Sequence, residues 1–356
     1  MTTNGGFQPV FCTIVPPHIL DRLARHEDSA IAERAQRTLE HDSALRTRRR
    51  ESAVRTQSAA AAGAAAADSK PKRTIYDAGH GSDLPGTEVR AEGQDPVQDA
   101  AVNRAYAGLG ATFELYLKAY RRDSIDGRGL PLDASVHYQT GYDNAFWNGD
   151  QMVFGDGDGQ VFVDFTSCID VIGHELTHGV TQYTANLDYE GQSGALNESV
   201  SDVFGSLIKQ YSLGQSADRA DWLIGEGLLA PGIHGTALRS MKAPGTAYDD
   251  PKLGKDPQPA TMAGYVRTSD DNGGVHTNSG IPNHAFYLLA TAIGGNAWEK
   301  AGQIWYDVLT GGELRSSAQF ADFAKLTVKA AQARFGAGDE LEAVKKAWEQ
   351  VGVHTS

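Results

Sequence analysis

The stretch Val171-Ile172-Gly173-His174-Glu175-Leu176-Thr177-His178 decides how this chain is read. On an α-helix, residues four apart lie on one face, so the imidazoles of His174 and His178 can hold a single Zn²⁺. Glu175 then stands beside the ion, where it can take a proton from water activated there. The same five-residue pattern also occurs in unrelated surface helices. Here Ile169, Val171 and Ile172 mark a buried helix, and burying two histidines and a glutamate without a partner is costly.

A catalytic zinc takes three protein ligands and keeps one position open. The following segment, Asn197-Glu198-Ser199-Val200-Ser201-Asp202, offers Glu198 as the third. It lies far enough past His178 for a turn and an antiparallel return. Asp202 is one helical turn beyond Glu198, on the same face, and suits the second N–H of a ligand histidine, His174. Leu196, Val200, Val203 and Phe204 make this helix apolar as well.

Outward from this pair, apolar periodicity predicts helices over 100–120, 170–183, 193–211, 282–293, 297–309, 317–335 and 340–351. Between 136 and 165 the pattern is β-like. Val153, Phe154, Val161, Phe162, Val163 and Phe165 flank Gly155-Asp156-Gly157-Asp158-Gly159, a hairpin-type turn. A calcium loop of the EF-hand kind fails, because Ser167 stands where a Glu is needed. The fold class expected is α+β, with a β-containing lobe over 73–182 that includes the metal helix and a helical lobe over 183–356.

The chain before these lobes has a different composition. After Pro16-Pro17, the residues Ile19, Leu20, Leu23, Ile31, Ala35 and Leu39 recur at helical spacing, which predicts two short amphipathic helices within a segment 1–50. At the end of that segment the basic run Arg46-Thr47-Arg48-Arg49-Arg50 reads as a solvated, protease-accessible connector, and the alanine-rich tract 59–67 marks a low-complexity linker with the processing site over 51–72.

Bulk properties exclude several classes. The formal charge of −13 argues against a general affinity for nucleic acid or anionic membranes. Only two cysteines occur, Cys12 and Cys168, so a disulfide framework or a Cys-based zinc finger is excluded. No apolar run reaches the roughly 18 residues that span a bilayer. The N-terminus lacks a basic region ahead of an apolar stretch, so export, if it occurs, needs a route other than an ordinary signal peptide; the alternative is a cytoplasmic protein. A P-loop and a Gly-x-Ser-x-Gly elbow are both absent.

These motifs, together with Gly194-Ala195-Leu196-Asn197-Glu198, Asn144-Ala145-Phe146-Trp147-Asn148-Gly149 and Asp271-Asn272-Gly273-Gly274-Val275-His276, resemble the thermolysin-type metallopeptidases in the family's own order, from about Arg73 to Gly352. The segment Cys12-Thr13-Ile14-Val15-Pro16-Pro17-His18 is similar to the short pro-segment of the protealysin-like branch. The resemblance implies a two-lobed zinc endopeptidase made as a zymogen. It would be a monomer that acts on proteins and peptides and is first held by its own pro-segment.

The resemblance also implies residue roles. His174, His178 and Glu198 would bind one zinc, Asn197 and Asp202 would stand behind them, and Glu175 would be the general base. Tyr189 and His276 would donate to the tetrahedral oxyanion, and Asp271 would orient His276. Asn144 and the carbonyl of Ala145 would hold the substrate backbone. Arg239 would grip the carbonyl after the scissile bond. Phe162, Phe165, Val171, Ile224, Leu228 and Leu238 would form an apolar pocket for that residue's side chain, which implies cleavage before bulky apolar residues.

Two departures stand out. Asp170, Asp221 and Glu226 match carboxylates of the family's double calcium site, but Lys209 stands where a bridging carboxylate is expected and Leu223 replaces another. The ammonium is expected to replace calcium. Cys12 has two readings. Its thiolate could occupy the metal's open position in the zymogen, or it could be a small buried residue that docks the pro-segment.

An aminopeptidase would need acidic groups for a free amino terminus, and no such motif is evident. A binding protein built on an inactive protease would need a damaged site, yet every expected ligand is present.

Overall fold

The computed structural model describes residues 12–52 and 69–355; the side chains of Cys12 and of 44–52 lie outside the described residues. The proposed thiolate ligand of Cys12 and the alanine tract 59–67 are therefore not described. A six-stranded sheet forms the first lobe. Its strands are β1 (Cys12–Thr13), β2 (Arg73–Asp77), β3 (Thr87–Ala91), β4 (Leu132–Val136), β5 (Ala145–Trp147) and β6 (Met152–Phe154), in the order β1-β5-β6-β4-β2-β3. β6, β4 and β2 run parallel, and the remaining pairs are antiparallel. The N-terminal segment thus closes one edge of the sheet, with Cys12 opposite Trp147 and Thr13 opposite Phe146.

Helices α1 (Pro17–Leu23) and α2 (Ser29–Ser52) follow β1. The second is not short. It continues through the arginine run, because nothing between Ser29 and Ser52 breaks a helix and Ala, Glu, Arg and Leu favour one. Helix α3 (Ala100–Tyr120) packs on the sheet. Asp99 caps its start by accepting from Ala101 N at 2.8 Å.

Helix α4 (Ile169–Gln182) and helix α5 (Gly191–Leu213) are the centre of the molecule, and α4 is buried along its length from Asp170. Val171, Ile172, Leu176 and Val180 are at most 1% exposed, and each such side chain contributes about 1.5–3 kcal/mol of burial. Close approach of the two helices depends on paired glycines. A Cβ on Gly205 would lie 2.5 Å from the Asp170 carbonyl, and one on Gly173 would lie 2.6 Å from Ile208 Cδ1. Without that approach Glu198 could not reach the histidines of α4.

The helical lobe adds α6 (Asp271–Asn278), α7 (Gly280–Ile293), α8 (Ala301–Thr310), α9 (Phe320–Phe335) and α10 (Asp339–Gln350). Periodicity anticipates all of them but α6. Four consecutive residues at its start, Asp271 to Gly274, have positive φ, which only Gly, Asn and Asp adopt readily. The turn has no apolar period to detect. Among the described residues no helix is long and apolar enough to cross a membrane.

Candidate active site

Helices α4 and α5 bring three ligand atoms together. His174 Nδ1 donates to Asp202 Oδ1 at 2.8 Å. His178 Nδ1 donates to Asn197 Oδ1 at 2.8 Å, with Ser201 Oγ at 3.1 Å. Asn197 donates its Nδ2 to the Leu187 carbonyl, which fixes the oxygen toward His178. Both Nδ1 atoms therefore carry the proton, and both Nε2 atoms present lone pairs. These lone pairs face each other at 3.0 Å, with the Glu198 carboxylate 3.5 Å from each. Three fully buried acceptors converging in this way fit a cation, and the N,N,O set suits a zinc-class metal. Burial pulls His178 down to about 4, against the pull of Glu198. Burial would raise Glu198, but His276, His178 and His174 outweigh it and hold it down to about 2.

Asp202 is the hub behind this cage. Besides His174 it accepts from Arg239 Nε and Nη2, both at 2.8 Å, and from Asn283 Nδ2 at 2.8 Å. Burial alone would raise its pKa; Arg239 and His174 reverse that and hold the carboxyl well below the usual range.

Glu175 lies on the cleft side of α4. Its Oε2 accepts from Trp147 N at 3.1 Å, while its buried Oε1 has no partner among the described residues. Burial, reinforced by Glu198, pushes its pKa well up. A buried carboxyl oxygen without a hydrogen bond is uncommon in a folded protein and marks Glu175 as a candidate functional group.

The facing wall comes from Tyr189 and His276. Tyr189 donates its hydroxyl to Glu198 Oε1 and lies 3.4 Å from His276 Nε2. The left-handed turn at 271–274 folds Asp271 back over His276. Asp271 accepts the backbone N–H at 2.9 Å and Nδ1 at 2.8 Å. Burial works against charge on His276, but Asp271 and Glu198 outweigh it and raise its pKa. Its Nε2 then donates to the Thr13 carbonyl at 3.2 Å.

The remaining groups meet around β1. Ile14 N donates to the Ala145 carbonyl at 3.2 Å, Arg239 Nη1 donates to the Ile14 carbonyl at 3.1 Å, and Val15 N donates to Asn144 Oδ1 at 3.0 Å. Phe162, Phe165, Val171, Ile224, Leu228 and Leu238 are all buried. They are tied together by the short ribbon β7 (Leu223–Ile224) and β8 (Arg239–Ser240) and by Val163 N donating to Leu228 O.

Several participants escape sequence reasoning. Asp42 of α2 accepts from Tyr142 at 2.6 Å and from Asn144 Nδ2 at 3.1 Å, and His18 of α1 bonds Tyr248 at 2.9 Å. These pairs are about a hundred residues or more apart, and no local pattern announces them. Away from the cleft, Lys209 Nζ lies 2.7 Å from Asp221, 3.2 Å from Glu226 and 3.6 Å from Asp170. Burial opposes its charge, but Asp170 and Asp221 raise its pKa.

Residues 42–182 match the profile for the thermolysin metallopeptidase catalytic domain, and 185–353 match that for its alpha-helical domain. The chain belongs to the thermolysin metallopeptidase family. It is 52% identical to an extracellular metalloprotease of Pectobacterium carotovorum subsp. carotovorum over 342 residues, which cover 96% of each chain. It is 48% identical to protease PrtS of a Photorhabdus species, over 96% of this chain and 91% of that one. Among solved structures, the precursor of protealysin, a metalloproteinase from Serratia proteamaculans, superposes with a TM-score of 0.87 at 54% identity, over 96% of this chain and 99% of that one. As a metalloprotease of this family, the chain has the β-containing first lobe and helical second lobe anticipated from its motifs.

Proposed function

We propose that this metalloprotease is a zinc endopeptidase held as a zymogen by its own N-terminal segment. The observation that carries the reading is the convergence of His174 Nε2, His178 Nε2 and Glu198 beside the unengaged oxygen of Glu175. A zinc ion held by those three residues would supply Lewis acidity toward water and the substrate carbonyl. Glu175 then takes the proton of the attacking water and delivers it to the leaving amine. His276 and Tyr189 donate to the developing oxyanion, and Asp271 fixes the imidazole that does so. Asp202 and Asn197 keep both ligand histidines in the tautomer that offers Nε2.

The register of β1 supports the substrate assignments. Ile14 engages Ala145 and Arg239 through its backbone while the Thr13 carbonyl meets His276. We read Ile14 as standing where the residue after the scissile bond of a substrate would stand. The apolar pocket then favours bulky apolar residues at that position. Occupancy of these contacts by residues 13–15 keeps substrate out, which accounts for latency. Cys12 remains a candidate blocking ligand, since its backbone pairs with Trp147, the residue that donates to Glu175. A Cys12→Ser precursor as silent as the wild type would remove that role. Cleavage within about 50–73 would release the segment, the bounds being those of an accessible linker.

The Lys209 ammonium takes the place of the double calcium site. The extracellular relatives support secretion, and the enzyme works as a monomer. The test compares full-length and processed protein on casein, with and without a zinc chelator, with N-terminal sequencing of the active form. Activity that survives chelation, or an active Glu175→Ala protein, would contradict the mechanism.

A further inference from the structure

A second set of metal-ligating side chains lies in the first lobe, made of residues the catalytic site does not use. Strands β2, β4 and β6 are neighbours and parallel, so the chain leaves all three at the same edge of the sheet. His80 follows β2, His137 follows β4 and Asp156 follows β6. The carboxyl ends of parallel strands are where such sheets collect ligand-binding groups.

The three side chains meet. His137 Nδ1 is 2.9 Å from Asp156 Oδ1 and 3.1 Å from Oδ2, and His80 Nδ1 is 3.4 Å from Asp156 Oδ2. Their ligand atoms all lie within 4.8 Å of one another. A tetrahedral site with bonds of about 2.0–2.1 Å has edges of roughly 3.3–3.4 Å. The catalytic cage supplies an internal standard, with edges of 3.0, 3.5 and 3.5 Å.

The surroundings also suit a metal. The other nitrogen of His137 is bonded to Asp99 Oδ2 at 2.8 Å, the carboxylate–histidine arrangement that orients a metal-bound imidazole. Asp99 is itself fixed as the N-cap of α3. His80 and His137 both hold positive φ, 60° and 55°, and the His80 N–H donates to the His137 carbonyl at 2.9 Å, so the backbone sets the two rings side by side. The His80 side chain is 55% exposed, which leaves a solvent side for entry and for a fourth ligand.

We propose that His80, His137 and Asp156 form a second divalent-metal site of two imidazoles and one carboxylate, which takes zinc or a like transition metal rather than calcium. Two nitrogen donors disfavour the hard cations. The bound ion ties the loop after β2 to the segment that backs the substrate strand. Gly155 N donates to the Asn144 carbonyl at 3.0 Å and Gly157 N to the Tyr142 carbonyl at 3.3 Å, on either side of Asp156. The ion therefore acts as a staple on the wall of the cleft, distinct from the catalytic metal.

The test uses the full-length chain equilibrated with zinc chloride alone at micromolar free zinc, with bound metal counted by mass spectrometry. Wild type is expected to bind two zinc ions, and His80→Ala one, with the processed His80→Ala enzyme as active as wild type. Asp99→Asn should weaken the second ion about 10- to 100-fold. A single zinc in wild type overturns the proposal, as do two in both proteins. A measurement free of any variant is the histidine ring NMR spectrum of wild type. The second equivalent of zinc should shift the resonances of His80 and His137, and unmoved resonances would overturn the site.

Discussion

The proposed catalytic cage and the N-terminal segment proposed to plug its cleft are built by opposite means. The cage comes from two consecutive helices, and every ligand and supporting residue lies between His174 and Asp202, with Arg239 and Asn283 behind. The plug comes from residues 13–42 reaching groups more than a hundred positions away, such as His276, Arg239 and Tyr248. The cage is held in place because both ligand histidines and Asp202 have partners behind them. The plug is held by backbone contacts, by polar groups of His18, Arg34, His41 and Asp42, and by buried apolar side chains such as Ile14, Val15, Ile19, Leu20 and Leu23. All of these contacts cross between segments that cleavage in the proposed linker would separate.

If that contrast is right, damage to the cage should abolish chemistry, and damage to the plug should release it. The largest effect expected is from Glu175→Gln. Processed enzyme should lose about 10²- to 10⁴-fold in activity on casein while metal content stays the same. Retained activity would remove Glu175 from proton transfer.

On the plug side, Asp42→Ala leaves the buried Asn144 amide and the Tyr142 hydroxyl without their acceptor. A buried polar group so stranded costs about 1–3 kcal/mol. The uncleaved precursor should then hydrolyse small peptides roughly ten- to a hundredfold faster than the wild-type precursor, while the processed enzyme, which lacks Asp42, is unchanged. An equally silent precursor would mean that the β1 contacts alone hold the plug.

A smaller effect follows from pH. Burial lowers His18 to about 4, Asp271 opposes this, and His276 and Arg239 add to it. The docked segment thus binds fewer protons than the free one, whose histidine titrates near 6.5. Docking is at full strength above that value and weakens as pH falls toward about 4. At pH 5.5 the pro-segment should bind about tenfold more weakly than at pH 8, since one pH unit is a factor of ten. His18→Phe should flatten the dependence. Inhibition of processed enzyme by added pro-segment measures it.

The smallest effect expected is none. With Lys209 among Asp170, Asp221 and Glu226, EGTA at constant zinc should leave the melting temperature where it was. A drop on calcium removal would return the site to calcium. Lys209→Met should destabilise the protein by about 1–3 kcal/mol, because buried Asp170 loses its counter-charge.

The same contrast explains what could be read before any coordinates. His174 and His178 are legible because helix geometry turns a spacing of four into one face. Glu198 and Asp202 follow from a second apolar helix at the right remove. Helices α3 to α5 have strong periodicity and start within about two residues of their expected places, the usual uncertainty of helix ends. The left-handed turn at Asp271 has no period, although Asn272-Gly273-Gly274 is a composition that could have flagged it. The segment 1–50 reads as two short helices, but α2 runs on through the arginines, because charge does not end a helix. Asp42, His18 and the Asp99–His137–Asp156 cluster depend on strand order and segment docking, which single-chain spacing does not encode.

The most direct test is anomalous diffraction at the zinc absorption edge from crystals of the precursor. The expected result is a peak within about 2.0–2.3 Å of His174 Nε2, His178 Nε2 and a Glu198 oxygen, the range of zinc–ligand bonds. Zinc-equilibrated crystals with no peak between those three side chains would contradict the assignment of these residues as a catalytic metal cage.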